Sequence, residues 1–203
     1  MDTTVLLVRH GQTNSNVTGF YMGWSDEDLD EVGYAQVRRL SSRLARLPIT
    51  SIYASPLRRV YTTATVLAES HKLKPEVLDD LIEIQLGDWQ GLHMDEIKLR
   101  WPGLWQQWRT DPSGVTIPNG ESVSKVTERA IRALRSIVGA SRGKQTVIVT
   151  HDIIVKMLVA HVLRVSTSIY RQFDIANASL SVVRISDSRS RLVALNDTSH
   201  LGG

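Results

Sequence analysis

No cysteine occurs among the 203 residues, which excludes disulfides, thiolate metal sites and a cysteine nucleophile. Long hydrophobic runs are also missing. The stretch Met1-Asp2-Thr3-Thr4 carries no basic residue, and the apolar run after it is too short for a signal peptide or a membrane span. No membrane association and a cytoplasmic location are therefore expected. Charge of one sign is nowhere concentrated: the net charge is +3 and the arginines are scattered, whereas nucleic-acid binding calls for a clustered basic stripe. Repeats, low-complexity tracts and linkers are absent. With 42% hydrophobic and 22% charged residues, the composition is that of one globular domain over residues 1–203.

Strand-like apolar segments at 5–8, 49–54, 146–149, 179–185 and 192–195 alternate with helically spaced ones at 33–47, 57–70, 121–138 and 153–163. That order predicts an α/β fold, a three-layer α/β/α sandwich with a largely parallel central sheet. Residues 14–31 read as a long loop, and 77–84 as extended or irregular. Residues 85–118 differ from the rest. They hold Trp89, Trp101, Trp105 and Trp108, four of the five tryptophans, with Pro102, Pro112 and Pro118. The expectation is a small helical cap region that packs its own aromatics over the active site.

The strand at 5–8 ends on Arg9-His10-Gly11 and the one at 146–149 on Thr150-His151. Ligand sites in α/β proteins lie beyond the carboxyl ends of such strands. There a cation holds an anion and a neutral imidazole attacks one, while glycine lets the backbone approach a ligand. Two histidines at two strand ends suggest one composite site. Ser55-Pro56-Leu57-Arg58-Arg59 opens a helix at another strand end, and helix N-termini and arginine forks both hold phosphate. Glu83 stands between Ile82 and Ile84. Apolar neighbours raise a carboxyl pKa, as a general acid requires, although an edge-strand surface residue fits the same pattern.

In this order, Arg9-His10-Gly11, Ser55 to Arg59, Glu83 before Gly87-Asp88-Trp89-Gln90-Gly91, Gly120-Glu121-Ser122 and Thr150-His151-Asp152 resemble the histidine phosphatase, or phosphoglycerate mutase-like, superfamily. The resemblance implies that His10 is the nucleophile that takes the phosphoryl group. Arg9, Arg59 and Asn16 would bind phosphate. His151 would donate a hydrogen bond to the transferring group, and Glu83 would protonate the leaving oxygen and then activate water. It implies no metal and no cofactor. The only partner it implies is a small phosphomonoester, and relatives are often homodimers.

Several positions depart from the family pattern. Met22, before Gly23, stands where glutamine is frequent and makes the pocket lip more apolar. Asp152 stands where glycine is frequent, beside His151. His200 lies in a C-terminal segment that resembles one reaching toward the active site in some relatives, and it is a candidate for the pocket lining. His71 reads as solvated, His161 as structural and His93 as lying near the cap, and Asp28-Leu29-Asp30 reads as an acidic loop. The leading expectation is a metal-independent phosphomonoesterase working through a phosphohistidine on His10. Its substrate would be phosphoserine, a sugar or glycerate phosphate, or a cobalamin nucleotide-loop precursor. The short, tryptophan-rich region after Glu83 argues against the alternative, a cofactor-dependent phosphoglycerate mutase. A non-catalytic phosphoester-binding regulatory protein is the rival from another class.

Overall fold

Alternate residues of the first strand serve two different cores. In β1 (Thr3–Arg9), Val5 and Leu7 face one core, and Leu6 and Val8 the other. A strand buried on both faces needs this unbroken apolar run. The computed structural model describes residues 1–202. After β1 come α1 (Asn14–Thr18), α2 (Glu31–Leu44), β2 (Ile49–Ala54), α3 (Arg58–Glu69) and β3 (Glu76–Val77). The 85–118 segment supplies α4 (Met94–Arg100) and α5 (Pro102–Thr110). The chain closes with α6 (Val123–Ala140), β4 (Gln145–Thr150), α7 (Asp152–Leu163), β5 (Leu180–Ile185) and β6 (Ser190–Asp197).

The strands form one sheet in the order β3-β2-β4-β1-β5-β6. β3, β2, β4 and β1 run parallel; β5 is antiparallel to β1, and β6 to β5. Helices α2 and α3 cover one face through Val37, Leu40, Val60 and Leu67, and α6 and α7 cover the other through Val126, Ile137, Ile154 and Leu158. This is the three-layer α/β/α arrangement expected from the element order. Because β1 and β4 are neighbours and the helices after them depart to opposite faces, a crevice opens at their carboxyl ends.

The 14–31 segment is more ordered than a loop. Thr13 and Asn16 form a capping box that starts α1, and Gly19, at φ 77°, ends it. Asp30 accepts from Gly33 N–H at 2.7 Å and starts α2 two residues earlier than the apolar spacing suggested. Asp28 accepts from the Thr62 hydroxyl at 3.0 Å, so both acidic residues support local structure. Gly11 also has a different reason from the expected one. A Cβ there would meet Gly33 O and Val37 Cγ2 at 2.8 Å, so its bareness lets α2 pack against the end of β1.

In the 85–118 segment, Trp89 is 0% and Trp108 1% exposed, with perpendicular rings 5.6 Å apart. Trp101 and Trp105 pack on Trp89 at 6.5 and 6.3 Å. Among the described residues, no helix is long and apolar enough to cross a membrane. Removing the central ring should leave a large cavity. Trp89→Ala is expected to lower unfolding free energy by about 3–5 kcal/mol in urea titration; a loss below about 1 kcal/mol, the size of an ordinary substitution, would contradict this packing.

Candidate active site

Register sets the two histidines side by side. Arg9 in β1 pairs with Thr150 in β4, and His10 N–H donates to Thr150 O at 3.0 Å. The rings stand edge to face with centroids 5.3 Å apart. His10 Nδ1 lies 2.7 Å from Gly11 O. A carbonyl oxygen only accepts, so Nδ1 carries the proton and Nε2 keeps its lone pair. Burial, then Arg59 and Arg9, hold the His10 pKa well below its ordinary value, so the ring is neutral. His151 is lowered in the same way by burial first, then Arg59 and His10. Its Nε2 meets the Ser55 hydroxyl at 2.9 Å, and its Nδ1 faces Arg59 at 3.5 Å.

Arg59 is 4% exposed and donates to Ser25 O at 2.9 Å and Gly23 O at 2.8 Å. Arg9 donates to Ile175 O at 2.5 Å. Asn16 Oδ1 accepts from Thr13 N–H at 3.1 Å and from Asn177 Nδ2 at 2.8 Å. Asn177 Nδ2 also reaches His10 O at 3.2 Å, and Ala178 N–H donates to that same oxygen at 3.0 Å.

Glu83 is held through its backbone. Its carbonyl accepts from Arg129 at 2.8 Å and from the Trp24 indole at 2.6 Å, and Ile84 N–H donates to its carboxyl at 2.8 Å. Burial raises its pKa; the Ile84 bond opposes that and Asp152 adds to it. Arg129 also donates to Asp80 O at 3.0 Å and to Ile82 O, and pairs with Glu121 at 2.9 Å. Glu121 in turn accepts from Gln85 N–H at 2.9 Å, so this pair fixes the backbone on both sides of Glu83.

These groups meet in a cavity of about 220 Å³ lined by Arg9, His10, Asn16, Met22, Gly23, Arg59, Glu83 and Asp152, together with Trp108, Tyr170 and Arg171. His151 is fully buried and stands behind His10. Among the described residues, no group of three or more His, Asp or Glu side chains is placed to hold a metal ion. The family model of the histidine phosphatase superfamily (branch 1) matches residues 5–198. The chain belongs to this superfamily.

Phosphoserine phosphatase 1 of Hydrogenobacter thermophilus is 33% identical over 198 residues, covering 98% of this chain and 94% of its own. The metal-independent phosphoserine phosphatase of Arabidopsis thaliana is 30% identical over 204 residues, covering 98% and 83%. The solved structure of Bacillus stearothermophilus YhfR matches with a TM-score of 0.94 at 29% identity, over 98% of this chain and 100% of that one.

Within this histidine phosphatase site, His200 is a correction. It does not line the pocket: its Nε2 meets Ala178 O at 3.0 Å and its Nδ1 meets Arg43 at 3.1 Å, so it fastens the C-terminal segment to α2. Asp152 acts on Glu83 rather than on His151, and its carboxylate lies 3.8 Å from Arg9 and 3.0 Å from Lys156. Met22 lines the wall as an apolar residue. Sequence reasoning gave no part to Arg129 or Trp24. The only available signal for Arg129 was its place on the helix that follows Glu121, eight residues beyond that carboxylate. A larger cavity of about 750 Å³, lined by Met1, Thr3, His161 and Ser190, sits at the opposite end of the sheet, away from these groups.

Two outcomes follow from the geometry. Arg129→Met strands Glu121 and three carbonyls, and is expected to cost about 3–5 kcal/mol, read as a shifted urea midpoint. Adding Glu121→Gln should restore part of that, and an unshifted midpoint in the single variant would contradict the clamp. The pH dependence follows from the lowered imidazoles. As pH falls below 6.5, the unfolded chain gains protons that the folded chain refuses, so stability falls until the folded values are passed. Glu83, raised above 4.5, runs oppositely: its contribution is full below 4.5 and lost as pH rises through the folded value. His151→Gln should therefore flatten the fall in Tm between about pH 7 and pH 5; an unchanged slope would contradict a buried neutral His151.

Proposed function

We propose that the chain is a metal-independent phosphomonoesterase acting on a small phosphorylated metabolite through a phosphohistidine on His10. The observation that carries this reading is the His10 ring, protonated on Nδ1, neutral, and set between Arg9 and Arg59 with the raised carboxyl of Glu83 in the same pocket. Phosphoryl transfer asks mainly for alignment and for charge opposite the equatorial oxygens. Arg9 and Arg59 supply that charge, and Asn16 adds a polar contact.

In the first step the His10 Nε2 lone pair forms the N–P bond, the ester P–O bond breaks, and the leaving oxygen takes the Glu83 proton. Glu83, now a carboxylate, takes a proton from water as that water attacks phosphorus. The N–P bond then breaks, returning His10 and releasing phosphate. Arg59 can only donate, so His151 Nδ1 accepts from it and the His151 proton rests on Nε2, given to the Ser55 hydroxyl oxygen; the ring is fixed behind His10. The 85–118 segment acts as a cap, through Leu86 and Trp108, which line the pocket. Phosphoserine and the glycerate and sugar phosphates are small enough for the cavity.

Activity on a phosphoester panel should survive exhaustive chelation. Acid quench during turnover should trap phosphate on His10, and His10→Ala should abolish both turnover and label. Activity that disappears on chelation and returns with Mg²⁺, or label found on another residue, would overturn the mechanism.

A further inference from the structure

One part of the cavity lining holds three hydrogen-bond donors, Trp108, Tyr170 and Arg171. Trp108 in α5 is 1% exposed and Tyr170 2%, and both line the same cavity as His10 and Glu83. The Trp108 indole nitrogen and the Tyr170 hydroxyl are buried without a hydrogen-bond partner. Their rings pack edge to face at 6.0 Å. Arg171 closes the corner. Its Nε donates to Trp108 O at 3.1 Å, and its guanidinium lies 4.9 Å from the Tyr170 ring centroid and 5.6 Å from that of Trp108. Among the described residues no carboxylate forms an ion pair with Arg171, and Asp152, which lines the same cavity, is shared by Arg9 and Lys156.

An unpaired buried donor costs about 1–3 kcal/mol, and native structures keep few of them. Two in one corner, beside a guanidinium fixed by stacking and by Nε, describe a place that becomes satisfied when a ligand brings acceptors. The indole N–H only donates, and burial keeps the phenol protonated, so it too has a proton to give. The remaining fork of Arg171 is planar and suits two oxygens in one plane. The corner shares its cavity with the phosphoryl site, so the acceptor belongs to the leaving-group half of the same molecule.

We propose that Trp108, Tyr170 and Arg171 form a carboxylate subsite, and that the preferred substrates are phosphorylated carboxylic acids rather than neutral sugar or polyol phosphates. The proposal rests on the phosphomonoesterase reading for its substrate, but its test does not need turnover. In the His10→Ala background, which keeps all three subsite residues, calorimetry compares 3-phosphoglycerate with glycerol 3-phosphate, and phosphoserine with its carboxamide. Each acid should bind about 10- to 100-fold tighter than its neutral partner, the scale of a charge-assisted hydrogen bond. Adding Arg171→Met, which keeps the stacked stem, should collapse that ratio to near unity. Arg171→Lys should recover only part of it, and Tyr170→Phe should reduce it. Equal binding of acid and neutral partner, or a ratio unchanged by Arg171→Met, overturns the subsite. Turnover of p-nitrophenyl phosphate by the wild-type chain reports separately on the phosphomonoesterase reading, so the two can fail independently.

Discussion

Parallel pairing of β1 with β4 is the constraint on which the site depends. Neither strand carries a complete reactive group. Their register, with Arg9 opposite Thr150 and His10 N–H bonded to Thr150 O, makes two imidazoles from distant parts of the chain into edge-to-face neighbours. Apolar alternation on both faces protects that register, because a slip by one residue would exchange the residues of the two cores. The bare Cα of Gly11 then lets α2 close against the strand end.

Electrostatics follows from how the arginines are held. Arg9 and Arg59 give hydrogen bonds to backbone carbonyls, at Ile175 and at Ser25 and Gly23. Carbonyl dipoles fix a guanidinium without cancelling its charge, so Arg59 keeps its positive potential where an anion would sit, while Asp152 offsets part of that of Arg9. That potential and burial both keep His10 and His151 neutral. Glu83 answers to a different balance, with burial and Asp152 outweighing the Ile84 bond and the nearby cations. One cavity thus keeps a base unprotonated and an acid protonated, the separation of roles that acid–base and nucleophilic chemistry requires.

Strand–helix alternation was legible because each element repeats its apolar period over several residues, and the site motifs because they fall at strand ends. The misses share another cause. α1 is five residues long and made by a capping box, too short to show periodicity. Arg129 looks like any helical arginine until the fold brings the 80–83 backbone over it. His200 carries a residue type suited to chemistry, but its surroundings, Arg43 and Ala178, are set by tertiary contacts that no local pattern records. The need for Gly11 was visible, while its reason, a helix rather than a ligand, was not.

The tie between His10 and the Asn177–Ala178 pair spans 167 residues. The backbone carbonyl of His10 is thus anchored by residues far along the chain from β1. Loop closure over such a distance comes late in folding, because its entropic cost must be met before the contact is gained. A chain in which β1 and β4 have paired but the 177–178 segment has not docked holds His10 without that anchor. The placing of the His10 ring is thereby coupled to the segment before β5, so local opening of that segment loosens the imidazole as well.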